Sequence, residues 1–346
     1  MAVANRVKLA VLGAGLIGKR HVKHVMKEPA AELMAVVDPS PVGQAIASEA
    51  GVRWFPSFAD MTMSERPDGV IIATPNQVHV QNGLEAVAAG VPALVEKPIA
   101  DDIAAGEKLV QMAEAKGVAL LTGHHRRHNP MMQKAKEIID SGTLGRILIV
   151  NAMFWLFKPD EYFDIPWRRE RGAGPVFLNL IHDIDNLRFL CGDISAVQAR
   201  ESNAVRRNAV EETAVILIEF KNGVLGTASV ADSVVAPWSW EMTTGENPAY
   251  PKTEETCYMI GGTHGSLAVP SLEIWSNAEK RSWTEAFERD RAPFENEDPL
   301  VMQIRQFCSV IRGEEAPLVS GREGLETLKV IEAVKRSAAT GGRVVL

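Results

Sequence analysis

The feature that most constrains the fold is a set of three glycines, spaced Gly-x-Gly-x-x-Gly, directly after a short β-type run. These residues read GAGLIG at positions 13–18, follow residues 8–12 and open a helix-length segment. In this context the first glycine permits a tight turn, the second lets the backbone approach a pyrophosphate, and the third allows close helix–strand packing. The helix N-terminus then faces the phosphates. The pattern predicts a dinucleotide-binding turn; a glycine-rich turn without a ligand is the alternative.

Short β-rich apolar runs alternate with helix-length segments between residues 6 and 122, an order typical of βαβ units and a parallel sheet. The runs are continuously apolar instead of alternating, which indicates burial on both faces. We therefore predict an α/β fold that begins with a Rossmann, doubly wound parallel sheet over residues 1–123. The predicted strands are 8–12, 33–37, 69–73, 93–95 and 118–121, and the predicted helices are 17–27, 42–51, 78–90 and 103–117.

The pattern changes after Gly123 to longer β-type runs, some alternating and some paired as hairpins. Asn222-Gly223, between two such runs, marks a tight turn. We predict a second domain over residues 124–346 for substrate binding and oligomerisation, with an antiparallel sheet and with terminal helices that can pack back on the first domain. Its predicted strands are 146–157, 196–201, 212–221, 223–229, 256–261 and 266–269, and its helices are 130–140, 176–190, 299–312 and 321–340.

Charge and composition narrow the class of protein. The chain has 346 residues, a net charge of −7 and no basic block longer than an arginine pair, so the footprint of a nucleic-acid binder is missing. Its three cysteines are too few and too widely spaced for a zinc site or a disulfide framework. No long uncharged apolar run could span a membrane, and the N-terminal run lacks a cleavage site. We expect a cytoplasmic protein that handles small molecules.

Asp38 ends the second predicted strand, 25 residues after Gly13, near the spacing at which an acid meets the ribose 2′-hydroxyl. A carboxylate there would repel a 2′-phosphate, and residues 39–43 contain no arginine or lysine. The sequence therefore favours NAD over NADP. The alternative is that Asp38 only begins a turn before Pro39.

Four further segments converge with the glycine turn: ATPN at 73–76 with His79, VEKP at 95–98, GHHRRHNP at 123–130 and HDID at 182–185. In order and spacing this set resembles the glucose-fructose oxidoreductase, inositol dehydrogenase and MocA (GFO/IDH/MocA) family over essentially the whole chain. The resemblance implies a Rossmann-type domain followed by an α/β domain with an open, mostly antiparallel sheet. It also implies hydride exchange at a hydroxyl-bearing carbon, often of a sugar or cyclitol, and a homodimer or homotetramer formed through that sheet.

Lys97 and His182 are the predicted catalytic residues. Lys97 follows an apolar strand at the carboxyl edge of the parallel sheet, where its ammonium can bind a substrate hydroxyl and stabilise alkoxide charge. His182 can accept and return a proton near neutral pH. The resemblance implies the same role for Lys97 at the substrate. The alternatives are a solvated surface lysine and a satisfied core histidine.

The surroundings of His182 depart from the family in one respect. Inositol dehydrogenase-like members place an Asp four residues before this His, where the chain has Leu178, which cannot accept a hydrogen bond. Asn179 and Asp185, each three residues from His182, are predicted to share its helix face and to set its tautomer. Asp183 points elsewhere and is predicted to act as an electrostatic or capping group.

The remaining site residues follow from position and resemblance. The predicted cofactor contacts are Gly13, Gly15, Leu16, Ile17, Gly18, Asp38, Thr74, Pro75, Asn76, His79, Glu96 and Lys97, and the predicted substrate contacts are Arg126, Trp167, Arg168, Asn179 and Asp185. Glu96 either orients Lys97 or contacts the cofactor, and His79 is equally well a helix-start residue without a ligand. The alternative role of the Arg126 segment is a hinge salt bridge, and the alternative role of the Trp167 segment is subunit packing. Arg168, Arg169 and Arg171 leave an acidic substrate open.

No metal is predicted, because His124, His125 and His128 lie on a strand-to-loop segment without a cluster of carboxylates. We predict an NAD-dependent oxidoreductase of sugar-, cyclitol- or polyol-like substrates. One alternative is a lyase or hydrolase in which retained NAD oxidises a sugar only transiently. Another is a nucleotide-sensing regulator without enzymatic activity.

Overall fold

The computed structural model describes residues 6–170, 172–277 and 279–346, and the chain forms two compact units. Unit 1 runs to Asn129 and also contains Glu297–Leu328. Unit 2 consists of Pro130–Asn296 and Lys329–Leu346. Arg171, one of the arginines considered for an acidic substrate, lies outside the described residues.

Unit 1 contains a parallel sheet whose strand order is β3-β2-β1-β4-β5-β6. The predicted Rossmann sheet is confirmed. The central strands are buried along almost their whole length, which explains their continuous apolar runs. The strands are β1 (Val7–Leu12), β2 (Ala31–Val37), β3 (Arg53–Phe55), β4 (Gly69–Ile72), β5 (Ala93–Val95) and β6 (Leu120–Thr122).

Helices join the consecutive parallel strands from β1 to β6. They are α1 (Leu16–Lys27), α2 (Pro41–Ala50), α3 (Phe58–Ser64), α4 (His79–Ala88) and α5 (Ile103–Lys116). Side chains cap three of them, since Ser40 accepts from the Gly43 N–H, Ser57 from the Asp60 N–H and Asp102 from the Ala105 N–H. The segments that follow β1, β2, β4 and β5 therefore leave the sheet at one edge, where ligands of such sheets bind.

Unit 2 contains a mixed sheet in the order β14-β13-β12-β11-β7-β10-β9-β8-β15. Its described pairings are antiparallel except for β7 with β10, so the predicted mostly antiparallel sheet is confirmed. The strands are β7 (Ile147–Trp155), β8 (Ile194–Ser202), β9 (Thr213–Phe220), β10 (Leu225–Ala231), β11 (Tyr258–Gly262), β12 (Gly265–Val269), β13 (Glu273–Ser276), β14 (Glu288–Arg291) and β15 (Val344–Val345).

One face of this sheet packs on helices, which are α6 (Pro130–Asp140), α7 (Ile181–Cys191) and α8 (Trp240–Thr244). Alternate side chains of the strands, such as Val150, Ile216 and Ile260, are buried in the same core as Met132 and Ile184 of the helices. This alternation is the pattern of a sheet with one buried face.

The last helices are α9 (Pro299–Ile311) and α10 (Gly321–Thr340). In unit 1, Ile304 and Phe307 of α9 are fully buried in the core that includes Leu9 and Ile71 of the parallel sheet. No helix in the described parts of the chain combines the length and apolar composition needed to cross a bilayer.

Candidate functional site

The glycine turn between β1 and α1 has the steric properties of a phosphate-binding turn. Gly13 has φ +94°, and a side chain there would collide with the carbonyl of Ala73. A side chain at Gly18 would collide with the carbonyl oxygen of Gly13. A Cβ on Gly15, by contrast, would meet nothing within 4 Å, so the backbone ahead of α1 is open to a ligand. The next residue, Leu16, is 87% exposed.

Asp38, at the end of β2, is held beside this turn by hydrogen bonds. Its Oδ2 accepts from the Ala14 N–H at 2.8 Å, and its Oδ1 accepts from the Ser40 N–H at 2.8 Å and from the Ser40 hydroxyl. The carboxylate therefore begins the turn before α2, as the alternative interpretation expected. Each carboxylate oxygen has more than one acceptor site, so these bonds also leave it able to accept from a ribose hydroxyl.

Replacing Asp38 with alanine is expected to weaken NADH binding by about 10- to 100-fold, because an acceptor charge and the bond to Ala14 are lost. NADPH affinity should fall less, since the repulsion of the 2′-phosphate is removed with the carboxylate. Fluorescence titration with each nucleotide gives the ratio of the NADH and NADPH dissociation constants. Asp68→Ala is the matched control, because Asp68 also accepts from a backbone N–H, that of Lys8, at 2.8 Å. An unchanged NADH to NADPH ratio in Asp38→Ala would contradict the assignment.

Glu96 and Lys97 follow β5 at the same edge of the sheet. Glu96 is buried, its Oε1 lies 2.7 Å from Nε2 of His21, and its Oε2 accepts from the Lys97 N–H at 3.2 Å. Burial alone would raise the pKa of the Glu96 carboxyl, but the hydrogen bond and charge of His21, with the charges of His125 and Lys97, lower that pKa to about 2. Glu96 is therefore an anion held inside the protein, which favours the orienting role over direct contact with a cofactor. Lys97 is half-buried.

Thr74 and His79 lie in the loop and first helical turn after β4. The Thr74 hydroxyl donates to Asn82 Oδ1 at 3.0 Å. The His79 ring is buried, with Nδ1 at 2.8 Å from the Pro98 carbonyl oxygen and Nε2 at 2.8 Å from the Thr74 carbonyl oxygen. Because both ring nitrogens face protein carbonyls, His79 joins two loops of unit 1. The structure also places it at the start of α4, and its contact with the cofactor stays a prediction.

The segment after β6 forms a short 3₁₀ turn over His125–His128. Arg126 and Arg127 are both buried, and Arg127 Nη1 forms an ion pair with Glu323 Oε2 at 2.9 Å. Both residues of this pair belong to unit 1, so the ion pair joins α10 to the segment after β6 within that unit. Across residues 6–170, 172–277 and 279–346, no group of three or more His, Cys, Asp or Glu side chains has a metal-holding arrangement.

In unit 2, a π-helical turn over Val176–Leu180 leads directly into α7 and places His182 in the first turn of that helix. The ring is 8% exposed, and Asp185 is buried on the same helix. Asn179 lies within this π-turn, whereas the prediction that it shares a helix face with His182 assumed α-helical spacing. That Asn179 helps to set the tautomer of His182 stays a prediction.

Lys158, a residue that the sequence did not point to, orients the side chain of Asn179. Its Oδ1 accepts from Lys158 Nζ at 2.8 Å, and Lys158 Nζ also lies 3.1 Å from Asp232 Oδ2. Burial lowers the pKa of Lys158, while Asp232 opposes that shift. A lysine only donates, so the amide oxygen of Asn179 faces it and the amide NH₂ remains as a donor. The only sequence signal was a lysine directly after the aromatic end of β7.

Other acidic and aromatic residues of unit 2 also have defined partners. Asp183 accepts a hydrogen bond from the Tyr258 hydroxyl, which in turn accepts from Asn186 Nδ2 at 3.0 Å. The guanidinium of Arg168 lies 4.0 Å from the Tyr162 ring centroid and donates to the Tyr162 carbonyl at 2.8 Å. Trp167, beside it, is half exposed. The loop thus presents an indole next to a cation that is held in place.

Two family models match the chain in succession. Residues 7–124 match the oxidoreductase family with an NAD-binding Rossmann fold, GFO_IDH_MocA. Residues 132–268 match the GFO/IDH/MocA C-terminal domain.

Whole-chain comparisons find similar proteins among both curated sequences and solved structures. The chain is 26% identical to 1,5-anhydro-D-fructose reductase of Ensifer adhaerens, over 96% of each chain. It is 29% identical to D-apiose dehydrogenase of Paraburkholderia graminis, over 99% of this chain and 90% of that protein. The WlbA dehydrogenase of Chromobacterium violaceum, solved with NADH and UDP-GlcNAcA, is 25% identical with a TM-score of 0.79, over 99% of this chain and 96% of that one.

Proposed function

Because the chain belongs to the GFO/IDH/MocA family of NAD-binding oxidoreductases, we propose that it oxidises a hydroxyl-bearing carbon of a sugar, cyclitol or related polyol, or catalyses the reverse reduction. The protein is a dehydrogenase of CH–OH groups and binds NAD. The substrate class is our proposal. It is supported by the names of the relatives, which refer to 1,5-anhydro-D-fructose, D-apiose and UDP-GlcNAcA.

The observation that carries this proposal is the arrangement in unit 1 of a lysine at the edge of a dinucleotide-binding sheet. Gly15 leaves the backbone open, Asp38 supplies an acceptor beside it, and Lys97 follows β5 at the same edge, with β4 between β5 and β1. These groups fit NAD, which when bound supplies the hydride acceptor. The protein supplies the remaining chemistry, which is binding, orientation and proton transfer.

Lys97 and His182 divide that chemistry between them. In the oxidation, the Lys97 ammonium donates a hydrogen bond to the reacting hydroxyl and stabilises negative charge on its oxygen. His182 accepts the hydroxyl proton at a ring nitrogen as the carbon loses its hydride, and returns a proton in the reduction.

The side chains of unit 2 favour a substrate that carries an acidic group. The amide NH₂ of Asn179 can donate, because the amide oxygen accepts from Lys158. The Arg168 guanidinium lies 5.7 Å from the ring centroid of the half-exposed Trp167. Donors suit carbonyl and carboxylate oxygens, and an indole face suits the apolar face of a sugar ring. Sugar acids and keto-sugars are therefore the first compounds to test.

The test is a panel of polyols, inositols, sugars and sugar acids, each incubated with NAD and followed by the absorbance of reduced nicotinamide. Turnover of at least one compound, with NAD preferred to NADP, supports the proposal. Two results would contradict it: no compound of the panel is turned over, or product forms without net reduction of NAD. The purified protein should be checked for retained nucleotide before the assay.

We also propose that the chain assembles as a homodimer or homotetramer through the open face of the unit 2 sheet. Apolar side chains on neighbouring strands of that face are more than half exposed, among them Ile149, Leu217 and Leu225. A contiguous apolar patch of this kind is typical of an interface.

Leu217→Glu is expected to lower the mass measured by analytical ultracentrifugation, because it places a charge in that interface. Met63→Glu is the matched control, since Met63 is also more than half exposed but lies on α3 of unit 1. A wild-type protein that sediments as a monomer would overturn the proposed assembly, as would an unchanged mass in Leu217→Glu.

A further inference from the structure

Two buried histidines hold the residues on either side of Lys97. His21, on α1, contacts the Glu96 carboxylate at 2.7 Å, and its side chain is fully buried. His79, at the start of α4, contacts the Pro98 carbonyl at 2.8 Å. The two histidines come from different helices, yet they contact the first and last residues of one short segment, Glu96–Pro98.

The ring of His79 lies between two backbone carbonyls. Carbonyl oxygens only accept hydrogen bonds, and the ring nitrogens face those of Pro98 and Thr74, each at 2.8 Å. His79 therefore bridges the loop after β4 to the segment after β5.

The contacts of His21 fix the other side of Lys97. The Glu96 carboxylate lies between His21 Nε2 and the Lys97 N–H, which donates to it at 3.2 Å. Gly123 leaves room for this carboxylate, because a Cβ there would approach Glu96 Oε2 to 3.1 Å. His21 lies one helical turn after Gly18, so the helix that begins at the glycine turn also holds the lysine segment.

We propose that His21 and His79 are positioning residues that clamp the Glu96–Pro98 segment and so set the place of the Lys97 ammonium. The clamp connects Lys97 to the glycine turn through α1 and to the Thr74 loop through His79. It rests on the proposed function only for its catalytic consequence, because the clamp itself is a property of unit 1. Small displacements of a catalytic group cost large factors in rate, which is why such a segment needs fixing.

The first test measures the clamp without activity. Hydrogen–deuterium exchange of a peptide covering residues 93–100 is compared between the full-length wild type, His79→Leu, His79→Gln and His21→Gln. Loss of the clamp should raise early uptake of this peptide about threefold or more in His79→Leu, with a smaller rise in His79→Gln, which keeps one donor. His24→Gln is the matched control, because His24 lies one turn further along α1 and faces Asp298 at 3.6 Å instead of Glu96. Uptake equal to wild type in His79→Leu and His21→Gln would overturn the clamp.

The second test separates positioning from general damage to the fold, with a substrate identified by the panel. His79→Gln should lower kcat about tenfold, while the dissociation constant of NADH changes by no more than about threefold. In a Lys97→Ala background the same substitution should change kcat by less than about twofold, because the group it positions is gone. A full tenfold loss in that background would overturn the proposal. If the wild type turns over no compound, the proposed function fails, and the exchange measurement still decides whether the clamp exists.

Discussion

His182→Ala is expected to lower kcat for the substrate by about 100- to 10,000-fold, because general acid–base catalysis contributes about that factor. The loss should appear in kcat more than in the affinity for NADH, because the role proposed for His182 is proton transfer and not nucleotide binding. Steady-state kinetics with a saturating concentration of nucleotide measures kcat. Added imidazole should restore part of the rate, because a small base can enter the space that the side chain leaves.

His264→Ala provides the control, since His264 is an exposed histidine of the same unit whose Nδ1 pairs with Thr263 Oγ1 at 2.8 Å. It should retain wild-type kcat. A His182→Ala enzyme within about threefold of wild type would exclude His182 as the acid–base group, because the expected factor is at least about 100-fold.

Lys97→Ala should reduce kcat/KM by about 100- to 1,000-fold, the effect of removing one preorganised donor to a developing oxyanion. KM should also rise, because the ammonium binds the hydroxyl before the reaction as well as during it. Lys97→Arg retains the charge but changes its geometry, so we expect it to recover only a fraction of the loss. Lys108→Ala, an exposed lysine of α5, is the matched control.

The result that would exclude this role is a Lys97→Ala enzyme with normal kcat/KM and unchanged NADH affinity. Fluorescence titration of NADH with this variant is informative in its own right. Affinity within about threefold of wild type would place Lys97 at the substrate, whereas a loss of tenfold or more would place it at the cofactor, since 1.4 kcal/mol corresponds to one decade.

The parallel sheet was predictable because each of its central strands is a continuous apolar run and the glycine turn fixes the first βα unit. Two elements of unit 1 were not predicted. The three-residue strand β3 carries an exposed arginine and is too short for a periodic signal. Helix α3 is seven residues long and has Ser57 as its cap, a signal easily mistaken for a loop. Strands β13 and β14 of unit 2 were also missed. Each has only four residues, and β14 is fully exposed and charged.

The site was predictable where it depends on a local pattern and unpredictable where it depends on distant pairs. Gly13 and Asp38 follow from spacing along the chain. The His21–Glu96 pair joins residues 75 positions apart, and nothing in either local sequence indicates the other. At Asn179 we predicted an α-helix, whereas the chain forms a π-turn over Val176–Leu180.

The position of α9 has a consequence for the order of events during synthesis. Ile304, Phe307 and Cys308 are fully buried in the core of the parallel sheet, although the chain builds all of unit 2 up to Asn296 before it reaches them. A nascent chain that has left the ribosome only as far as Asn129 therefore has an unfilled apolar gap beneath β1 and β4. The amino-terminal part of unit 1 therefore completes its core only after nearly the entire polypeptide has been translated.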